Sequence, residues 1–300
     1  MRKSVALLTL LSLSVLALLL YSCSKVTDSN LATGNPADPA FLEVNQVMQQ
    51  STENSQDAVF DGMDYMFNYL FAPPQAAGVN TESLIYAWEN GWHHLILIYT
   101  DDTTGSTLYL DDSVQFKDTT GAVVQNPDTL NLGSVQVKVK RYVHLTQYDP
   151  YEDFQFKGYD TVFAAAMLVK NAVDTTATFD GTASEMAHGN FLHPDSGVEC
   201  SLDAAVSHTV NSLVILINGD NCPISGQLGA AGSVDIVCPF PSGTVTVSGN
   251  WSWFANINQN TVTIIAQNNT TRWVIIIPKD QFCSSGPVIA RELIPGRFQN

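Results

Sequence analysis

The sequence predicts a mainly β protein: an antiparallel meander forming a curved sheet, half-barrel or sandwich, with an N-terminal helix packed on it. Three observations carry this expectation. From residue 84 onward, apolar residues alternate with polar ones or run continuously in short stretches bounded by Asp, Asn, Gly and Pro. The joins between these stretches are short, so neighbours in sequence become neighbours in space. Before residue 75 the apolar residues recur at helical spacing instead.

The helix is expected over 38–71. Asp38 can cap it, with Pro39 at the first helical position. Phe41, Val44, Val47 and Met48 lie on one face. Gln49 to Gln56 is a polar interval where the helix can break. Val59, Met63, Met66, Phe67 and Leu70 resume the spacing, and Pro73-Pro74 stops it. The Met and aromatic stripe reads as core waiting for a sheet to cover it. The adaptable Met48, Met63 and Met66 would also suit an apolar cavity.

The strands follow in order: 84–88, 92–99, 107–116, 134–145, 154–169, 175–184, 197–207, 209–217, 224–228, 233–238, 244–254, 261–266 and 272–277. Asn90-Gly91, Asp180-Gly181, Asn218-Gly219 and Ser242-Gly243 are the expected turns, since each supplies a residue suited to positive φ. Asp102-Thr103-Thr104-Gly105 and Asp118-Thr119-Thr120-Gly121 repeat one turn. Val135, Val137 and Val139 alternate with Gln136, Lys138 and Lys140, which gives that strand one wet face. So many strands should curl or split, and two sub-sheets would divide near Gly189–Asp195. Trp251 and Trp253 share one face and read as core.

Four cysteines lie within this region: Cys200, Cys222, Cys238 and Cys283. Their even number suggests two disulfides if the chain is exported. If Gly229-Ala230-Ala231-Gly232 closes a hairpin, Cys222 stands opposite Cys238 and Ile224 opposite Ile236. Cys200 and Cys283 would then pair. The other connectivities, and free thiols, stay open.

The N-terminus gives an address. Arg2 and Lys3 precede an apolar run from Val5 to Leu20, shorter than the roughly 20 residues of a spanning helix. Leu20-Tyr21-Ser22-Cys23 closes it. This tetrapeptide resembles the lipobox of bacterial lipoproteins. The resemblance implies that residues 1–22 are removed and that Cys23 carries the lipid. It also implies a cell-envelope location, with Ser24 pointing to the outer membrane. Residues 23–39 read as a flexible tether, 40–74 as the helical segment, 75–283 as the β domain and 284–300 as a tail.

The chain carries 13 basic and 29 acidic residues. Such a surface repels phosphate backbones, so nucleic acid is not an expected partner. The expected partners are the membrane, through the anchor, and an apolar ligand or an envelope protein. No G-x-S-x-G, H-E-x-x-H, P-loop or G-x-G-x-x-G occurs, and no cofactor is expected. His93 and His94 point to opposite faces of a strand. His188, His193 and Asp195 make the densest array of metal-ligand types, HGNFLHPD, but the segment also reads as a plain turn. Asp101/Asp102 and Asp111/Asp112 read as hairpin residues. The function expected is a non-enzymatic binding or structural module, with an apolar-ligand carrier as the alternative and a secreted hydrolase behind both.

Overall fold

The computed structural model describes residues 31–45, 47–48, 51–52, 58–59, 62, 66, 70, 83–101, 104–128, 131–146, 156–171, 176–193, 196–216, 223–280 and 282. The chain divides into two units, 1–33 and 34–300. The first contributes the two-residue strand β1 (Ala32–Thr33). In the second, the described residues from 39 to 70 are helical and are referred to as α1. Asp38 opens this helix as expected: its Oδ1 accepts from Ala40 N at 3.0 Å and its carbonyl accepts from Leu42 N at 3.0 Å.

The strands are β2 (Ser83–Glu89), β3 (Trp92–Thr100), β4 (Thr107–Asp118), β5 (Val123–Val124), β6 (Leu132–Leu145), β7 (Phe156–Lys170), β8 (Thr176–Leu192), β9 (Glu199–Leu216), β10 (Pro223–Phe240), β11 (Gly243–Val247), β12 (Asn250–Ile257), β13 (Thr261–Gln267) and β14 (Thr271–Pro278). They form one sheet in the order β14-β13-β12-β10-β9-β8-β7-β6-β4-β3-β2, with β11 beside β10 and β5 beside β4. The pairs are antiparallel, as in a meander. The sheet is open, not closed into a barrel, and does not split into sub-sheets.

Sequence and structure part at the glycines. Asp180-Gly181 is no turn: it lies inside β8, which runs on to Leu192 through the place where two sub-sheets should divide. A Cβ on Gly181 would stand 2.4 Å from the Ala166 carbonyl oxygen. Gly229-Ala230-Ala231-Gly232 is no turn either but the middle of the 18-residue β10. A Cβ on Gly232 would stand 1.9 Å from the Ala205 carbonyl oxygen. These glycines admit a close neighbouring strand instead of reversing the chain. The expected strand 175–184 therefore runs on to Leu192, and the expected strands 224–228 and 233–238 merge into β10. The expected strands 197–207 and 209–217 likewise join in one strand, β9 (Glu199–Leu216), in which Ser212 takes a φ of 47° beside a register shift. The expected strand 244–254 divides into β11 and β12 at Gly249. Asn90-Gly91 does turn, with φ of 53° and 79°.

The hairpin register fails with its turn. Cys238 is bonded to Cys200, with the two Cα atoms 4.4 Å apart, so it cannot bond Cys222. Ile236 pairs with Leu202, not Ile224, and the same register sets Cys238 opposite Cys200. Cys222 and Cys283 lie outside the described residues.

The long central strands are one-sided. Along β9, Cys200, Leu202, Ala204, Val206, His208 and Val210 are buried, while the residues between them are exposed. Phe41, Val44, Met48, Val59 and Met66 of α1 belong to the same buried cluster. Burial of such side chains contributes roughly 1.5–3 kcal/mol each. Trp251 and Trp253 are core, as expected, with Trp251 stacked on Trp273 at 5.2 Å.

We expect non-reducing peptide mapping to join a Cys200 peptide to a Cys238 peptide. Replacing both by Ser should cost about 4 kcal/mol of stability, from the 38-residue separation. A peptide joining Cys222 to Cys238 would overturn the register.

Candidate functional site

Buried polar side chains mark the candidate site, and they fall where α1 residues meet the sheet. In chain order, Phe41 stacks on Trp273 of β14 at 5.5 Å. Glu43 Oε1 lies 3.3 Å from His193 Nε2. Asn45 Oδ1 accepts from Trp253 Nε1 of β12 at 2.9 Å. Ser51 and Thr52 reach β8 and β9. The Ala58 carbonyl accepts from Arg141 Nη2 of β6 at 2.6 Å. Each partner is fixed by a different strand or strand end.

The centre is a chain of hydrogen bonds through Ser51. Ser51 Oγ bonds Glu185 Oε2 of β8 and lies 2.9 Å from His208 Nε2 of β9. Thr52 Oγ1 lies 3.3 Å from His208 Nδ1 and donates to the Met48 carbonyl at 2.7 Å. Thr161 of β7 donates to Glu185 Oε1 at 3.4 Å. Ser51, Thr52, Thr161, Glu185 and His208 are all buried.

Proton counting orients this chain. A carbonyl only accepts, so the Thr52 hydroxyl proton belongs to Met48 O. Thr52 Oγ1 must then accept from His208 Nδ1–H. Burial pushes the His208 imidazole from 6.5 down to about 4, so the ring is neutral at pH 7 and carries its proton on Nδ1.

This order is not that of a nucleophilic triad. There the imidazole stands between hydroxyl and carboxylate, so that it can take the hydroxyl proton while the acid steadies it. Here the hydroxyl stands between imidazole and acid, and it is buried. The arrangement fixes positions; it does not expose a nucleophile.

The expected site residues scatter. His188 is on the outward side of β8, at 3.3 Å from Asp203. His193 is buried beside Glu43 and against the Phe240 ring at 5.1 Å. The two therefore do not share a metal, and Asp195 lies outside the described residues. His93 is buried and His94 half-buried on opposite faces. His93 bonds Tyr86 at 2.8 Å between the rings of Trp88 and Phe116, and burial lowers it to about 4. Asp112 is buried, with Oδ2 3.5 Å from Arg141 Nη2, while Asp111 stands opposite Lys140. The disulfide pair Cys200–Cys238 is buried, with Cys238 Sγ 4.0 Å from Glu43 Oε2. Cys23 and Met63 lie outside the described residues. Ser51, Thr52, Glu185 and His208 escaped sequence reasoning, because the polar interval 49–56 reads as a break and Glu185 and His208 stand alone in their strands. The available signal was that Glu185 and His208 each occupy an inward position of an alternating strand.

No known protein family model matches the chain, and no curated protein matches it.

His208 makes stability depend on pH with a definite sign. Its pKa is about 4 folded and 6.5 unfolded, so the unfolded chain binds the extra proton first. The contribution is complete above pH 6.5 and is lost as pH falls from 6.5 toward 4, by about 3 kcal/mol. Urea denaturation from pH 7.5 to 4 checks this: the His208→Gln variant should lose less stability with acid than the parent, and parallel curves would refute the assignment. Ser51→Ala, which removes the hydroxyl that Glu185 and His208 share, should cost about 1–3 kcal/mol at pH 7.

Proposed function

We propose that this chain is a lipid-anchored protein of the bacterial cell envelope, held by Cys23, whose helix and curved open sheet form a non-enzymatic binding or structural module. What supports the reading is that α1 residues share the buried cluster of the sheet: Phe41, Val44 and Met48 are each 0 % exposed and belong to it. The polar partners of α1 support a permanent arrangement, since each buried hydrogen bond is tied to one position along the helix.

The partners of Asn45 and Ala58, Trp253 and Arg141, lie on β12 and β6, five strand spacings or about 24 Å apart along the sheet. With its buried side occupied, such a module meets partners at the outward face or the edges.

The signal and lipobox at 1–23 carry the location. Outer-membrane attachment follows from the Ser24 rule and belongs to the same proposal. Mass spectrometry of the protein from a bacterial membrane fraction tests it: the expected mature species begins at Cys23 and carries diacylglycerol. An intact Met1, or an unmodified Cys23, would remove the anchor. Native mass spectrometry of the detergent-released protein separates module from carrier. The bare chain mass with only its covalent lipid is expected; a stoichiometric second lipid would favour the carrier.

A further inference from the structure

The disulfide lies beneath the first turns of α1. Cys200 and Cys238 occupy inward positions at the start of β9 and near the end of β10, and both are 0 % exposed. Neighbouring strands wall them on two sides: the register sets Phe191 of β8 beside Cys200 and Val245 of β11 beside Cys238. On the side away from the sheet stands Glu43 of α1, with Oε2 4.0 Å from Cys238 Sγ. The turns around Glu43 are anchored on both flanks of the disulfide. Phe41 stacks on Trp273 of β14 and Asn45 accepts from Trp253 of β12, while Glu43 meets His193 just past the end of β8. In the sheet, β10 and β9 lie between those anchors. Leu42 is half exposed, so solvent begins directly beyond this turn.

We propose that residues 39–45 act as a lid over the Cys200–Cys238 disulfide: a dithiol reductant reaches the bond when these turns lift, while the sheet stays folded. Thiol exchange depends on access to a sulfur, and the closed lid denies it. With the lid open, the reaction runs by two displacements. One thiolate of the reductant attacks a protein sulfur and forms a mixed disulfide, and the other cysteine leaves as a thiolate. The second reductant thiolate then closes a cyclic disulfide on itself and releases the remaining cysteine. Both thiol protons of the reductant end on Cys200 and Cys238 by way of water, and two electrons pass to the protein.

Two features let this lid move by itself. It is the N-terminal end of α1, and a helix unwinds from its end at less cost than from its middle. The Ser51 bonds to Glu185 and His208 hold the next part of the helix and set the limit of the movement. The latch at His193 is also incomplete. Its Nε2 meets Glu43 Oε1, but its Nδ1 is buried without a hydrogen-bond partner among the described residues. Lifting the lid brings water to that nitrogen, which offsets part of the cost of opening. By linkage, anything that pulls residues 39–45 from the sheet also hands the disulfide to the reductant.

Timed dithiothreitol reduction of the full-length protein in detergent tests the lid. Free thiols are blocked first, and the Cys200 and Cys238 peptides are then read by mass spectrometry. In the parent, the reduction rate should rise with urea much less steeply than the global unfolding constant, because only the lid opens. Glu43→Gln and Phe41→Ala should each raise the rate without urea by about 10-fold or more, since both loosen the lid. Val137→Ala opens a cavity in buried β6, four strands from β10, and should leave that rate within about twofold despite its lower global stability. Three results would each overturn the proposal: a urea slope equal to that of global unfolding, parent-like rates in both lid variants, or equal acceleration by Val137→Ala and Phe41→Ala. The urea slope needs the parent alone, so it decides the matter even where a variant does not fold.

Discussion

The Ser51 hydroxyl bonds both Glu185 and His208, and it comes from α1 while they come from two strands of the sheet. Apolar contacts alone leave a helix free to slide, because one methyl packs nearly as well as the next. A buried hydroxyl shared by an acid and an imidazole does not slide. Moving α1 by one turn would strand both groups in an apolar interior, at about 1–3 kcal/mol each. The Glu43–His193 pair, the Asn45–Trp253 bond and the Arg141–Ala58 bond repeat the constraint along the helix. Such groups add little to stability over well-packed apolar residues, but they select one arrangement among many.

That selectivity has a cost in chemistry. Burial holds the His208 imidazole neutral at pH 7, so the site forms around an uncharged ring. The same residues that would make a nucleophile in another order here make a fastening.

The fold class was legible in the sequence because one-sided strands alternate and a helix does not. Val135, Val137 and Val139 announce an inward face, and all three are buried. Asn90-Gly91 announces a turn, and both residues take positive φ. The glycine-rich segment at 229–232 misled, because a missing side chain serves a turn and a close strand contact equally well. Only the neighbouring Ala205 carbonyl distinguishes the two, and it is 27 residues away from Gly232. The site was less legible still. Ser51, Glu185 and His208 are separated by long stretches of chain, and no local pattern links them.

The bond between Cys200 and Cys238 ties the start of β9 to the end of β10, so everything from 201 to 237 is a closed covalent loop. Within that loop, residues 217–222 link the two strands in sequence. A single cut there releases nothing. Both halves remain joined by sulfur, and the ladder from Leu202 with Ile236 to Val214 with Ser225 keeps them in register. While the disulfide is intact, cleavage of the link leaves the two strands joined, and they become separable only after a reductant has acted first.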